Sequence, residues 1–246
     1  MLKGRIHSIE TMGLMDGPGI RTIFFMQGCG LKCIYCHNPD SMRFQGGTLY
    51  TVDELVSFVK RYRPYYKETG GVTFSGGEAL MQGKFLAEAV KALKTEKINI
   101  ALDTCGVGQP RYYDDILRHV DFLLLDIKHY DPHEYQRLTG VCMEKSREFM
   151  ARVADFQGRI WIRHTMVPGF TDNGEAMDRL FDHIRPWAAS IDKIEVLPYH
   201  KMGVGKYELM GLDDPLKDTP EMSKSRAKAF QDGLEDKLKR QKKILG

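Results

Sequence analysis

A chain of 246 residues that is 42% hydrophobic and 28% charged has the composition of a globular protein with a sizeable core. Its formal net charge of +3, from 36 basic against 33 acidic side chains, is too small to argue for nucleic acid as a partner. No run approaches the roughly 18 apolar residues of a spanning helix, and the opening MLKGRIHSIETMG lacks the apolar centre of a signal peptide. A soluble, cytoplasmic protein with no membrane partner is therefore expected.

Short, strongly apolar runs at 20–26, 72–74, 98–102, 122–127, 160–167 and 194–197, bounded by Gly, Pro and polar residues, read as buried parallel strands. Between them lie helices. Thr51 and Glu54 form a capping box ahead of Val52, Leu55, Val56 and Val59 at helical spacing, and Phe85, Leu86, Ala89, Val90 and Leu93 make a second apolar stripe. Further helices are expected over 143–157, 174–189 and 220–243, the last entered through Thr219 and Pro220. Six strand-helix units imply a parallel α/β sheet, doubly wound or bent into a barrel, with right-handed crossovers. No linker, repeat or low-complexity tract divides the chain, so residues 1–246 read as one domain.

The polar motifs follow the strands. Gly28-Cys29 comes after the first, Ser75-Gly76-Gly77-Glu78 after the second and Asp103-Thr104 after the third. Asp126-Ile127-Lys128 closes the fourth, and Pro198-Tyr199-His200 follows the last. Carboxyl ends of strands are where parallel α/β folds gather their sites.

Three of the five cysteines, Cys29, Cys33 and Cys36, fall within CGLKCIYCHN. A closed zinc site needs four ligands and a 4Fe-4S cluster is usually held by four thiolates. Three thiolates therefore suit a cluster with one open iron, while zinc completed by His37 or a distant residue, or plain burial, are the alternatives. Cys105 and Cys142 stand alone and read as small buried residues. The glycines at 76 and 77 let backbone approach a ligand and leave Glu78 to take an ammonium; a tight turn with Glu78 as a solvated cap fits equally well. Asp103 and Asp126 at strand ends could hold a small cation, with Lys128 neutralising one of them; an internal Asp126–Lys128 pair is the alternative, because residues i and i+2 share a strand face. His200 reads either as a ligand contact or as a structural histidine.

Asp16 to Arg21 (DGPGIR), then Phe25 to Cys29 (FMQGC), Cys33 and Tyr35-Cys36-His37-Asn38, resemble the signature of the radical S-adenosylmethionine (SAM) activating enzymes for glycyl-radical enzymes. Gly76-Gly77-Glu78, Asp103-Thr104, Asp126-Ile127-Lys128, Leu197 to His200 and Lys206-Tyr207 continue the resemblance over essentially the whole chain. It implies an open partial (β/α)6 TIM-like barrel of the radical SAM type. By the same resemblance, Cys29, Cys33 and Cys36 hold a 4Fe-4S cluster whose open iron binds SAM. Tyr35 and His37 would meet its adenine side and Gly77 its methionyl amino group, Lys128 would orient SAM and His200 contact it from the last strand, with Gly76, Glu78 and Ile127 also in the cofactor-binding set. Asp103, Thr104 and Asp126 would flank a monovalent cation, Na+ or K+.

The implied reaction is reductive cleavage of SAM, with the resulting 5′-deoxyadenosyl radical generating a glycyl radical on a partner protein under anaerobic conditions. No cysteine lies between Cys36 and Gly77, where many relatives carry an inserted ferredoxin-like region. That compactness resembles the pyruvate formate-lyase type within the family, and the resemblance implies pyruvate formate-lyase as the protein substrate, entered at its glycine loop, and a flavodoxin or ferredoxin-type electron donor. Cys105 departs from the Asn or Ser expected in relatives. The competing readings are an activase of another glycyl-radical enzyme, a radical SAM enzyme acting on a small molecule, an iron-sulfur electron carrier, and a zinc-dependent nucleic-acid binder.

Overall fold

The computed structural model describes residues 1–245. In chain order the elements are β1 (Lys3–Gly13), β2 (Arg21–Met26), β3 (Thr48–Thr51), α1 (Val52–Tyr66), β4 (Gly71–Gly76), α2 (Gly83–Thr95), β5 (Asn99–Thr104) and α3 (Tyr113–Leu117). They continue with β6 (Phe122–Asp126), α4 (Pro132–Thr139), α5 (Glu144–Val153), β7 (Arg159–Met166), α6 (Gly174–Ile184), β8 (Ile191–Pro198), α7 (Val204–Leu209) and α8 (Lys224–Leu245). All six expected strands are present, as β2 and β4 to β8. The strands β1 and β3 were not expected. β1 alternates between buried and partly exposed positions and carries His, Ser, Glu and Thr, so it lacks the continuous apolar run of a strand covered on both faces.

The chain gathers into two compact units. The first comprises residues 1–30, 41–124 and 144–158. Its sheet runs β3-β1-β2-β4-β5. β1 pairs antiparallel with β2 and β3, whereas β2–β4 and β4–β5 are parallel, in registers that set Phe24 beside Phe74 and Val72 beside Ile100. The parallel strands are apolar on both faces: Ile23, Phe24, Val72, Phe74, Ile100 and Leu102 are fully buried. The Thr51 hydroxyl accepts from the Glu54 N–H at 3.2 Å while Glu54 Oε2 accepts from the Thr51 N–H at 2.7 Å, the reciprocal cap that the sequence signals.

At the amino ends of these strands sits Arg21, fully buried. Its guanidinium donates to the Thr73 hydroxyl at 2.7 Å, the Val72 and Pro18 carbonyls at 2.6 and 2.9 Å, and Asn99 Oδ1 at 3.0 Å. Burial lowers its pKa to about 10, still cationic at neutral pH. Arg21 thus fastens the DGPGIR loop to the end of the sheet away from the motif-bearing strand ends.

The second unit comprises 31–40, 125–143 and 159–246, so β6 begins in the first unit and ends in the second. β7 and β8 are parallel, with Ile162 beside Ile194 and His164 beside Val196. α6 buries Ala176, Met177, Leu180, Phe181 and Ile184, and α8 packs on β8 through Ala227, Leu234 and Leu238. α8 begins later than expected. Ser223, whose hydroxyl accepts from the Arg226 N–H at 3.3 Å, caps it, and Pro220 belongs to the preceding bend.

Candidate functional site

Within the first unit, β2 delivers Gly28 and Cys29 and β4 delivers Gly76, Gly77 and Glu78. Backbone hydrogen bonds join the two loops: Gly77 N–H to Met26 O and Glu78 N–H to Gly28 O, both 2.9 Å. Gly28 and Cys29 also donate to the carbonyls of Ser41 and Met42, at 2.7 and 3.0 Å. Both glycines are needed here. Gly76 has a φ of +101°, and a Cβ on Gly77 would stand 2.4 Å from the Gly28 carbonyl oxygen and 2.9 Å from that of Ser41. Gly77→Ala is expected to cost about 1–3 kcal/mol of stability through displaced backbone. A lower urea midpoint together with poorer iron retention checks this; an unchanged midpoint would contradict it.

Glu78 is 3% exposed. Burial pushes its carboxyl pKa up, while donors from Thr104, Cys105 and Leu80 pull the other way. It caps the short helical turn at residues 79–82 by accepting from the Leu80 N–H at 3.1 Å, but as a buried group, not a solvated one. At the end of β5, Asp103 is half-buried and its Oδ2 accepts from the Ser75 hydroxyl at 2.7 Å; Thr104 is buried beside it.

The second unit holds Cys33, Tyr35, Cys36 and His37. Lys32 and Ile34 donate their N–H groups to Thr139 and Leu138 at 2.8 and 3.0 Å, and Cys36 N–H returns to Cys33 O at 3.1 Å. The two thiols are thereby held in one turn against the end of α4. Burial pushes the Cys33 thiol up to about 11 and raises Cys36 as well. No disulfide joins any of the five cysteines. Cys105 is buried as expected, but Cys142 is exposed, because it falls in the turn between α4 and α5.

The His37 ring stacks on His200 with centroids 3.9 Å apart and planes within 7°, and His37 Nε2 contacts the His200 carbonyl at 2.9 Å. Burial lowers the His37 pKa. These rings line a small cleft with Tyr35, Cys36, Gly203 and Tyr207. Lys206 on α7 donates to Asn38 Oδ1 at 2.8 Å and Asp40 Oδ1 at 3.1 Å, fastening the helix over the residues that follow Cys36.

At the carboxyl end of β6, Lys128 Nζ donates to Asp126 Oδ2 at 2.6 Å and lies 5.4 Å from the Tyr35 ring centroid. The i, i+2 pair is therefore formed. Asp126 Oδ1 is buried and meets no hydrogen-bond donor. Ile127 is pinned through its backbone, its N–H donating to Arg163 O at 2.8 Å and its carbonyl accepting from His164 Nδ1 at 2.6 Å.

His164 carried no signal in the sequence beyond being a histidine in a strand. With Nδ1 donating, its buried Nε2 has no partner, and burial lowers its pKa from 6.5 to about 4. The folded state thus keeps it neutral while the unfolded chain takes a proton below pH 6.5. Stability present above that pH is lost as pH falls toward 4, by about 2 kcal/mol at pH 5. Denaturant titrations at pH 7 and pH 5 should show this loss diminished by that amount in His164→Asn; an equal loss in the variant would refute it.

In the second unit the Cys33 and Cys36 thiols share one half-buried turn, and in the first the glycine loop is hydrogen-bonded next to Cys29, so each unit carries residues of the type an iron-sulfur cluster and an amino-acid ligand would use. The family model for the Radical SAM superfamily matches residues 23–181. The chain is 45% identical over 239 residues to the pyruvate formate-lyase-activating enzyme of Clostridium pasteurianum, covering 97% of this chain and 100% of that one. It is 41% identical over 220 residues to that of Staphylococcus epidermidis, covering 86% and 87%.

Among solved structures, a domain of pyruvate-formate lyase-activating enzyme from Bacteroides vulgatus superposes with a TM-score of 0.53 at 24% identity, covering 68% of this chain and 94% of that one. A radical SAM methyltransferase from Sphaerobacter thermophilus superposes at 0.62 and 16% identity, covering 88% and 64%. At such identities the structural likeness speaks for the fold, which is the open α/β partial barrel expected from the sequence.

Proposed function

Because the chain belongs to the radical SAM superfamily and, within it, to the pyruvate formate-lyase-activating enzymes, we propose that it is an activase that installs the glycyl radical of pyruvate formate-lyase. The observation that carries the site assignment is the Glu78 N–H to Gly28 O hydrogen bond, which sets the Gly76-Gly77 loop immediately beside Cys29. A reduced 4Fe-4S cluster held here would supply the one electron that splits SAM into methionine and a 5′-deoxyadenosyl radical, which would become 5′-deoxyadenosine on taking a hydrogen atom from a glycine Cα of the partner.

The chain's residues bind, orient and shield. Cys29, Cys33 and Cys36 would hold the cluster, and loading it must displace the protons that burial keeps on the Cys33 and Cys36 thiols. Gly76 and Gly77 present backbone to the methionyl end of SAM. The stacked His37 and His200 offer a flat, partly desolvated surface beside Tyr35 for the adenine. Lys128, which neutralises Asp126 at 2.6 Å, is the cation this reading assigns to the SAM carboxylate. In the second unit, the Asp126 Oδ1, which meets no hydrogen-bond donor, is the oxygen this reading offers to a monovalent cation.

A flavodoxin or ferredoxin-type protein is the electron donor that goes with this reading. A cytoplasmic setting goes with this reading, because thiolates that hold an iron-sulfur cluster must stay reduced, and no disulfide joins the cysteines. The reading is tested by anaerobic turnover of the reconstituted, reduced protein with SAM. 5′-Deoxyadenosine should form one-for-one with activated pyruvate formate-lyase. Cleavage of SAM that is indifferent to that partner and coupled instead to a small molecule would overturn it.

A further inference from the structure

The Glu78 carboxylate is saturated by its own unit. Oε1 accepts from the Leu80 N–H at 3.1 Å and the Thr104 hydroxyl at 2.7 Å. Oε2 accepts from the Cys105 N–H at 2.9 Å and the Cys105 thiol at 3.0 Å. A carboxylate offers about four lone-pair sites, so none is left for a ligand. The Thr104 hydroxyl oxygen in turn accepts from the Gly106 N–H at 2.9 Å, which fixes the loop that supplies three of the four donors.

We infer that Glu78 is an internal anchor and not the partner of the methionyl ammonium, and that the Cys105 thiol is a positioning group that acts through Glu78 on the Gly76-Gly77 loop. The inference rests on reading that loop as the SAM site. Glu78 joins three strand ends: its N–H holds Gly28 after β2, its own backbone continues β4, and its side chain holds Thr104 and Cys105 at the end of β5. A thiol is a weak donor to neutral acceptors and a better one to a carboxylate. Cys105 is thus more than a small space-filling residue. A serine hydroxyl could make the same contact, whereas alanine leaves Oε2 short of one donor in a buried place.

Two readouts test this. SAM binding is measured by equilibrium dialysis on reconstituted protein with the cluster oxidised, so that nothing turns over. Cys105→Ala should weaken binding about fivefold to tenfold, the worth of one hydrogen bond. Cys105→Ser should restore it to within about twofold. A SAM analogue lacking the amino group should lose as much affinity from Glu78→Gln as SAM does, since the loop moves for both. If Glu78→Gln harmed SAM alone, Glu78 would be the ammonium's partner and the inference would fall; so would it if Cys105→Ala bound SAM normally.

The second readout is the infrared S–H stretching band of Cys105, isolated as the difference between wild type and Cys105→Ser. It should lie below the band of a solvated thiol and move up in Glu78→Gln, and a band indifferent to Glu78 would refute the contact. Failure of the wild type to bind SAM would remove the functional reading and the positioning role together, while the S–H band would still decide the contact.

Discussion

Replacing Cys33 by alanine is expected to abolish cluster binding and SAM cleavage together. The backbone around this residue is fixed independently of its thiol: the flanking Lys32 and Ile34 N–H groups are held by Thr139 and Leu138, and the Cys33 carbonyl accepts from Cys36. The variant should therefore keep the fold and lose only the ligand. Cys29 and Cys36 cannot retain a 4Fe-4S cluster alone, and the two remaining cysteines stand elsewhere, Cys105 committed to Glu78 and Cys142 exposed after α4. Iron and sulfide content after anaerobic reconstitution should fall to background along with 5′-deoxyadenosine formation. A Cys33→Ala protein that cleaves SAM normally would show that the cysteine motif does not hold the cluster.

Lys128→Ala should give the opposite division: iron is retained and SAM use is impaired. Lys128 lies outside the cysteine turn, so the thiols keep their places. Its loss strips the 2.6 Å partner from Asp126, whose other oxygen already has none, and leaves a mostly desolvated carboxylate uncompensated. With the two side chains 14% and 19% exposed, the stability cost is about 1–3 kcal/mol. The KM for SAM should rise more than kcat falls. Lys128→Arg should not rescue it, because a planar fork does not reproduce an ammonium at an i, i+2 contact. Asp126→Asn placed with Lys128→Ala should recover stability without recovering SAM affinity. Loss of iron in Lys128→Ala would contradict this division of labour.

What could be read from the sequence followed physical simplicity. Strands covered on both faces are continuous apolar runs, and all six were legible, whereas the register that pairs Phe24 with Phe74 was not. The capping box of Thr51 and Glu54 was legible because both partners are local. β1 was not, since its alternation of partly exposed polar residues gives no run to detect, and β3 is four residues long. The start of α8 was misplaced because Pro220 and Ser223 are both acceptable starts locally, and only the hydrogen bond to the Ser223 hydroxyl distinguishes them.

In the site, the spacing of Cys29, Cys33 and Cys36 and the i, i+2 relation of Asp126 and Lys128 are properties of the chain itself. Whether Glu78 is solvated or buried is not. That depends on Thr104 and Cys105, some 26 and 27 residues away. The same limit separates Cys105 from Cys142, two lone cysteines of which one is buried against a carboxylate and the other is exposed. His164 needed the fold as well, because its role comes from the Ile127 carbonyl on a neighbouring segment.

The central claim, that this chain installs a glycyl radical on pyruvate formate-lyase, is tested most directly by EPR of the partner after anaerobic incubation with the reduced, reconstituted protein and SAM. The account predicts a glycyl-radical doublet on pyruvate formate-lyase that is absent when SAM is omitted or when Cys33→Ala is used. An intact cluster that cleaves SAM while the partner stays EPR-silent would contradict it.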